Sequence, residues 1–140
     1  MQISVFLTQL SAERLWGIDR PQPEHVELNV NINVLEPEKK SDTMIETPFI
    51  FAVAYNPSIA QINIKGRVRI LGEAQEIAKM LNDYKEKKPP SPSVVQTIAN
   101  ITVAETIILA RSIGVPPPIP PLPAPPSTPP QSKPNARYTS

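Results

Sequence analysis

Apolar and polar residues alternate along much of the first half of the chain, a pattern typical of strands with one buried and one solvated face. The clearest stretch is residues 25–35, where apolar side chains take every second position and asparagines take most of the others. Residues 48–55 are apolar on both faces, as expected of a central strand that is covered on both sides. Four strands are therefore predicted, over residues 3–10, 25–35, 48–55 and 59–71.

The connections between these stretches are short enough to predict an antiparallel meander, in which each strand pairs with the next along the chain. Residues 36–42 are charged and contain Pro37, so they are predicted to form a solvated loop. Gly66 falls on the apolar face of the last strand. A glycine at such a position indicates a bulge or a close approach of another backbone.

The second half of the chain has helical spacing. Residues 73–88 carry apolar side chains three and four positions apart, and the prolines that start at Pro89 end this helix. A second helix is predicted from Ser93, which begins a capping-box pattern, to Ile113, with Gly114 as a left-handed C-cap. The sequence thus predicts an α+β fold, with a four-stranded antiparallel meander sheet backed by two C-terminal helices.

The second predicted helix is apolar around most of its circumference, so one sheet cannot cover it. In a chain of this size the additional cover is predicted to come from another subunit. We therefore expect a homodimer or homotetramer, with Ile101 and Ile108 at the oligomer interface.

The C-terminal segment is distinguished by proline: eleven of the 19 prolines lie among the last 25 residues. Three units are predicted, an α+β domain over residues 1–115, a docked proline-rich segment over 116–126 and a flexible polar tail over 127–140. In a polyproline II helix, with about three residues per turn, one ridge would carry Pro116, Ile119, Leu122 and Pro125. This extended tail either docks on its own domain or binds an aromatic-lined groove of another protein.

The composition excludes most kinds of catalytic site. The chain has no cysteine and one histidine, which excludes thiol nucleophiles, disulfides and thiolate zinc sites. The sequence contains no nucleophile–base pair, glycine-rich phosphate loop or metal-ligand cluster. We expect a protein that is not an enzyme and has no catalytic residues, no metal and no cofactor.

Charge and hydropathy suggest a cytoplasmic protein. A net charge of +1 excludes a strongly basic nucleic-acid binder as judged by bulk charge. From the sequence we expect no segment with the roughly 18–20 apolar residues that are needed to span a bilayer. The N-terminus also lacks the features of a signal peptide. We expect a cytoplasmic location and no membrane insertion.

One strand carries a row of basic residues, Lys65, Arg67 and Arg69, on a single face. Such a row could bind an anionic partner such as RNA phosphates or an acidic peptide. Without interleaved aromatic residues, it is better explained as a solvated strand face that neighbouring acids neutralise.

The order of elements and a short motif at the end of the long helix resemble the SecB family of export chaperones. The motif residues are Asn100, Ile101, Glu105, Ile107, Ser112, Gly114, Pro117 and Pro123. The resemblance implies a SecB-like tetramer built as a dimer of dimers, with an outer sheet and long helices packed between dimers. It also implies a holdase, an ATP-independent molecular chaperone that binds unfolded polypeptides or preproteins in apolar grooves and delivers them to the motor SecA.

Three features depart from that family. The chain lacks the strong acidic balance of bacterial members, since its net charge is +1. It also has the basic strand, where an acidic sheet face is expected for motor docking, and the proline-rich end. They put the SecA partnership in question more than the holdase activity. The apolar residues that remain once an ordinary core is filled suggest the wall of a polypeptide-binding groove, and they are Phe49, Ile50, Phe51, Ile119 and Leu122.

An alternative hypothesis is a non-catalytic adaptor, or a ribosome- or RNA-associated assembly protein, that docks through its proline-rich tail and basic strand. The expected partners are therefore unfolded client proteins, further copies of the chain, and translocation or ribosomal machinery. Nucleic acid is the less favoured partner.

Overall fold

The computed structural model describes residues 1–118, which form an α+β fold. The strands are β1 (Gln2–Arg14), β2 (Glu27–Val34), β3 (Glu38–Ser41), β4 (Met44–Asn56) and β5 (Ala60–Leu71), and the helices are α1 (Ala74–Lys85) and α2 (Pro92–Ile113). The predicted fold class, an antiparallel sheet with two helices after it, is confirmed.

The sheet is not a meander. Its strand order is β1-β5-β4-β2, all pairs are antiparallel, and the short β3 also pairs with β4. The first strand therefore pairs with the last one, and β1 and β2 lie at opposite edges of the main path. Alternation reveals which face of a strand is buried but not which strand lies beside it, so the meander prediction was wrong.

A fifth strand, β3, lies where residues 36–42 were predicted to form a loop. It pairs with the start of β4 and places Lys39 opposite Ile45 in the register. All four residues of β3 are exposed, so its sequence carries no apolar alternation that would reveal a strand. Pairing with β4, rather than burial, defines this element.

The buried face of the sheet, called the inner face here, is dominated by β4 and β5. Alternate residues of β4 from Ile45 to Tyr55 are buried, and so are alternate residues of β5 from Ala60 to Ile70. The opposite, outer face of β4 is only partly covered. The prediction that β4 is a central strand is confirmed, but within the described chain only one of its faces is buried.

Gly66 allows two strands and an aromatic ring to meet on the inner face. A Cβ atom at this position would lie 2.5 Å from the Phe6 carbonyl oxygen and 2.7 Å from the Phe49 ring. The register of β1 against β5 shifts between Leu7 and Gln9, immediately beside Gly66. The predicted close backbone approach is confirmed.

Helix α2 buries two threonines in the same row as Ile98, while Ile108 stays exposed. Its buried residues recur every four positions and are Val94, Ile98, Thr102, Thr106 and Ala110. The Thr102 and Thr106 hydroxyls donate to the carbonyls of Ile98 and Thr102 over 2.7 Å, so burial leaves neither hydroxyl unpaired. Helix α2 contacts β1 and β5.

The ends of both helices are set by capping groups. Helix α1 begins after Glu73, which forms a capping box with Glu76. Helix α2 begins at Pro92, one residue before the predicted start, because Ser91 is the N-cap and Pro92 takes the first turn. Gly114 ends α2 with φ 71°, which confirms the predicted left-handed C-cap.

The segment that follows α2 docks on the sheet as far as the structure describes it. Val115 and Pro118 are buried, and the buried Tyr55 hydroxyl donates to the Pro116 carbonyl over 2.5 Å. The Arg14 guanidinium donates to the Ile113 carbonyl over 3.1 Å. The start of the predicted docked segment therefore lies against the domain, and the rest of it lies outside the described residues.

Removing the Tyr55 hydroxyl should loosen this docked segment. Tyr55→Phe keeps the ring in the core but removes the donor to Pro116, so we expect a loss of about 0.5–1.5 kcal/mol in the free energy of unfolding. Urea denaturation measures this loss, with Tyr84→Phe, a change at an exposed tyrosine, as the control. An equal loss in both variants would contradict the assigned role of the Tyr55 hydroxyl.

This stabilisation should also depend on pH. Burial raises the pKa of the Tyr55 phenol above its ordinary value. Because the folded state holds the proton more tightly, the contribution is fully present below the unfolded pKa of about 10 and is lost as the pH rises through the folded value. The difference between the Tyr55→Phe and unmodified proteins should therefore shrink in strongly alkaline buffer.

Candidate binding cleft

A cleft of about 930 Å³ opens at the end of the sheet where β2 finishes. Its floor is formed by inner-face residues of three strands, and its walls by α1 and the proline-rich linker between the helices. The apolar and hydroxyl-bearing residues that line it are Val34, Leu35, Pro37, Ile45, Thr47, Ile70, Met80, Tyr84, Pro89, Pro90, Ser91, Pro92 and Val94.

Exposed apolar surface marks the mouth of this cleft. Leu35 is 36% exposed and Tyr84 is 43% exposed, while Ile45 and Ile70 on the floor are almost fully buried. The cleft is therefore an open hollow with a closely packed apolar floor and exposed apolar side chains at its mouth.

Charged groups surround the cleft. Lysines outnumber acids among its charged lining residues, which are Glu36, Lys79, Asp83, Lys85, Lys87 and Lys88. Asp83 accepts from Lys79 over 3.0 Å and lies 3.6 Å from Lys88. The hydrogen bond from Lys79, supported by the Lys88 charge, lowers the pKa of Asp83. The carboxylate thus stays ionised at neutral pH, and the rim retains a net positive charge.

The predicted groove residues do not meet at this cleft. Phe49 and Phe51 are 1% and 0% exposed on the inner face of β4, where they form part of the core. Ile50 lies between them on the outer face and is partly buried. Ile119 and Leu122 lie outside the described residues. A groove wall that joins Phe49 and Phe51 to Ile50 is therefore not available in this protomer, because adjacent strand residues face opposite sides.

The residues that do line the cleft were missed at the sequence level. Val34 and Leu35 were counted as the end of an ordinary amphipathic strand, and Tyr84 as part of the apolar side of an ordinary helix. Met80 was not singled out. The useful signal was the Pro89–Pro92 run. A linker rich in proline cannot pack as a helix or a central strand, so it can hold α1 away from the sheet.

The predicted oligomer-interface residues lie on the side of α2 that faces away from the sheet or along its flank. Ile108 is 58% exposed, and Ile101 is partly buried. The same helix buries Thr102 and Thr106 completely. A helix that exposes isoleucine while burying threonine is not amphipathic with respect to its own sheet.

The predicted basic patch is largely neutralised by acids. Arg69 donates twice to one Glu46 oxygen, over 2.7 and 3.0 Å. Arg67 lies 3.3 Å from Glu38 and 3.6 Å from Glu46. A hydrogen bond from Lys40 and the Arg67 charge lower the pKa of Glu38, so that this acid is ionised at neutral pH. Such a paired face has little capacity left for phosphate.

One expectation about α2 needs correction. By length and composition α2 could cross a bilayer, so a stretch of that kind does exist in the described part of the chain. In the structure α2 packs on β1 and β5, and 28% of the stretch that meets this test is buried.

Among residues 1–118 no group of three or more His, Asp or Glu side chains is placed to hold a metal ion. Comparison of the chain with protein-family models, curated proteins and solved structures finds no significant match. The fold and the cleft alone therefore define the class, an α+β domain with an open apolar hollow beside its sheet. The SecB-like relationship stays a prediction.

Proposed function

We propose that this protein is a non-catalytic, SecB-like holdase whose cleft binds extended apolar segments of unfolded polypeptides or preproteins. The observation that carries the proposal is the cleft of about 930 Å³ with a buried apolar floor and exposed Leu35 and Tyr84 at its mouth. Burial there would stabilise a complex by about 25 cal/mol per Å² of apolar surface, which requires no particular client sequence.

The accessible strand beside the hollow favours an extended chain as the ligand. The inner-face residues of β2 lead away from the cleft and remain accessible, with Val30 44% exposed. A bound segment can therefore extend from the hollow along this strand. The lysine-rich rim favours clients that are neutral or acidic next to their apolar residues.

Assembly is part of the proposal. The isoleucines on the outer side of α2 provide an apolar surface that a second copy of the chain can bury, as the SecB-like arrangement requires. We propose a homodimer or homotetramer in the cytoplasm, with α2 at an interface between copies. In that assembly each copy keeps its own cleft, because Ile108 is not among the residues that line the cleft.

The alternative of an RNA- or ribosome-associated adaptor has less support. Arg67 and Arg69 are paired with Glu38 and Glu46, which leaves Lys65 as the member of the row with no acid partner among the described residues. A strong, steeply salt-dependent affinity for RNA would favour this alternative, whereas binding to unfolded protein with little salt dependence supports the holdase.

The cleft can be tested by changing its exposed apolar residues. Leu35→Ser/Tyr84→Ser should leave the fold intact, since both side chains are partly solvated, but should weaken binding of a reduced, unfolded model protein about tenfold. Fluorescence anisotropy of the labelled client measures the affinity, and suppression of client aggregation measures the activity.

The matched control is Phe6→Ser/Leu15→Ser. These side chains are 49% and 46% exposed and lie away from the cleft, so the control removes similar apolar surface elsewhere. We expect the control to bind the client like the unmodified protein. Equal weakening in both variants would mean that general surface hydrophobicity, rather than the cleft, holds the client.

A further inference from the structure

Helix α1 ends with a lysine in a backbone conformation that favours glycine. Lys87 has φ 60° and is the one residue other than glycine with a positive φ among residues 1–118. Its N–H donates to the Tyr84 carbonyl over 2.9 Å, and the Lys88 N–H donates to the Asp83 carbonyl over 3.0 Å. These two hydrogen bonds form a Schellman motif, in which the residue at the position of Lys87 takes the left-handed conformation.

The other helix has the usual residue at the same position. Gly114 follows α2 with φ 71°. Glycine adopts this conformation at no steric cost, whereas the Cβ atom of lysine is crowded by its own backbone. A cation is favourable near the C-terminus of a helix, but Lys85 and Lys88 already supply two to α1. The strain at Lys87 therefore indicates a use for its side chain outside the helix.

Lys87 lines the cleft, and the lysines of the lining differ in their partners. Lys79 and Lys88 lie 3.0 and 3.6 Å from the Asp83 carboxylate. Lys85 and Lys87 form no ion pair within residues 1–118. Two cationic groups of the lining are therefore available to an anionic ligand.

The rest of the lining favours an anion that carries an apolar neighbour. Glu36, just beyond β2, is the one acid of the lining with no ion pair in the described chain, and the two lysines outnumber it. The floor residues Ile45 and Ile70 are 1% and 2% exposed. A peptide with an acidic residue beside an aliphatic one can use both the lysines and this floor, whereas a nucleic-acid backbone offers only the charge.

We propose that Lys87, together with Lys85, binds a carboxylate of the ligand, so that the cleft selects polypeptide segments in which an aspartate or glutamate adjoins apolar residues. The ligand carboxylate supplies the ion-pair partner that the described part of the chain does not. That the ligand is an unfolded polypeptide rests on the proposed function, whereas the binding of a carboxylate by Lys87 is tested separately.

Two labelled peptides test this selection with the full-length chain. Both are extended and rich in leucine, and the glutamates of the first are replaced by glutamines in the second. The unmodified protein should bind the glutamate peptide about fivefold more tightly, the scale of one partly exposed ion pair. Lys87→Gln should remove this preference by weakening the binding of the glutamate peptide alone. Fluorescence anisotropy measures all of these affinities.

The matched control is Lys65→Gln. It removes the same charge from an exposed lysine of β5 that does not line the cleft. We expect this variant to keep the full preference for the glutamate peptide. An equal loss of preference in both variants would assign the effect to the overall charge of the protein and would overturn the proposal.

Lys87→Gly separates binding from folding. Glycine relieves the left-handed strain, which offsets its greater freedom in the unfolded chain, so this variant should melt no lower than the unmodified protein. It should nevertheless lose the preference for the glutamate peptide. A lower melting temperature would show that the Lys87 side chain serves the fold, and this result would overturn the proposal.

The remaining outcomes distinguish this proposal from the proposed function. If the unmodified chain holds an unfolded model protein but does not discriminate between the peptides, the holdase stands and the carboxylate site is wrong. If it discriminates through Lys87 but does not suppress aggregation of the unfolded protein, the carboxylate site stands and the holdase is wrong. Displacement of the glutamate peptide by a single-stranded RNA oligonucleotide would assign the lysines to phosphate and overturn the choice of carboxylate.

Discussion

Gly66→Ala should lower the melting temperature of this protein by about 5–15 °C, a large effect for one added methyl group. The new Cβ atom would lie 2.5 Å from the Phe6 carbonyl oxygen and 2.7 Å from the Phe49 ring. The first contact is with backbone and the second is with a ring in the core, so neither can rotate away. Strands β1 and β5 must therefore move apart near the shift in their register. Overpacking of this kind costs about 1–3 kcal/mol.

Gly72→Ala is the matched control for this prediction. Its added Cβ atom would meet a Glu76 carboxylate oxygen at 3.1 Å. A small shift of that side chain relieves the contact and disturbs only the capping-box hydrogen bond from the Glu73 N–H. We expect its melting temperature to stay within a few degrees of the unmodified protein. Calorimetry measures the melting temperatures of the two variants. A Gly66→Ala protein as stable as Gly72→Ala would contradict the close packing assigned to Gly66.

Ile108→Glu should dissociate the proposed oligomer while leaving the protomer folded. The side chain is 58% exposed in the single chain, so a carboxylate there remains solvated in a monomer. At an interface between copies the same charge would be buried without a partner, which costs several kcal/mol. Light scattering after size-exclusion chromatography measures the mass, and circular dichroism measures the fold.

Ile18→Glu makes the same chemical change at an isoleucine that is 89% exposed in the loop after β1. We expect this control to keep the mass of the unmodified protein. If the unmodified chain is already a monomer at micromolar concentration, the interface assigned to α2 is wrong. If Ile108→Glu unfolds the protomer, the residue contributes to the fold of the single chain rather than to an interface alone.

The local pattern of apolar residues predicted the number of long strands and helices, but it did not predict which strands are neighbours in the sheet. Alternation in residues 25–35 and 59–71 depends only on which face is buried, and that is a property of each strand by itself. Pairing of β1 with β5 instead of β2 depends on contacts between distant parts of the chain. No local pattern encodes these contacts. Strand β3 was not predicted for a related reason, since its four residues are exposed and form a strand by pairing with β4.

The candidate site could be predicted less well than the fold. Phe49 and Phe51 were assigned to a groove because they are large and apolar, yet a large apolar residue is equally suited to a core. The cleft is formed by the Pro89–Pro92 linker, the end of β2 and one side of α1. Its existence depends on the distance between α1 and the sheet, which is a tertiary quantity.

The sequence by itself determined the α+β class, the central β4, the close approach at Gly66 and the end of α2 at Gly114, since each depends on local periodicity or on the special conformations of glycine. Only the tertiary structure decided the strand order, the pairing of Arg67 and Arg69 with acids, and which side of α2 is buried. The burial of one side of α2 illustrates the physical reason. Thr102 and Thr106 satisfy their hydroxyls within the helix, so they can be buried in the same row as Ile98, and Ile108 is left facing solvent.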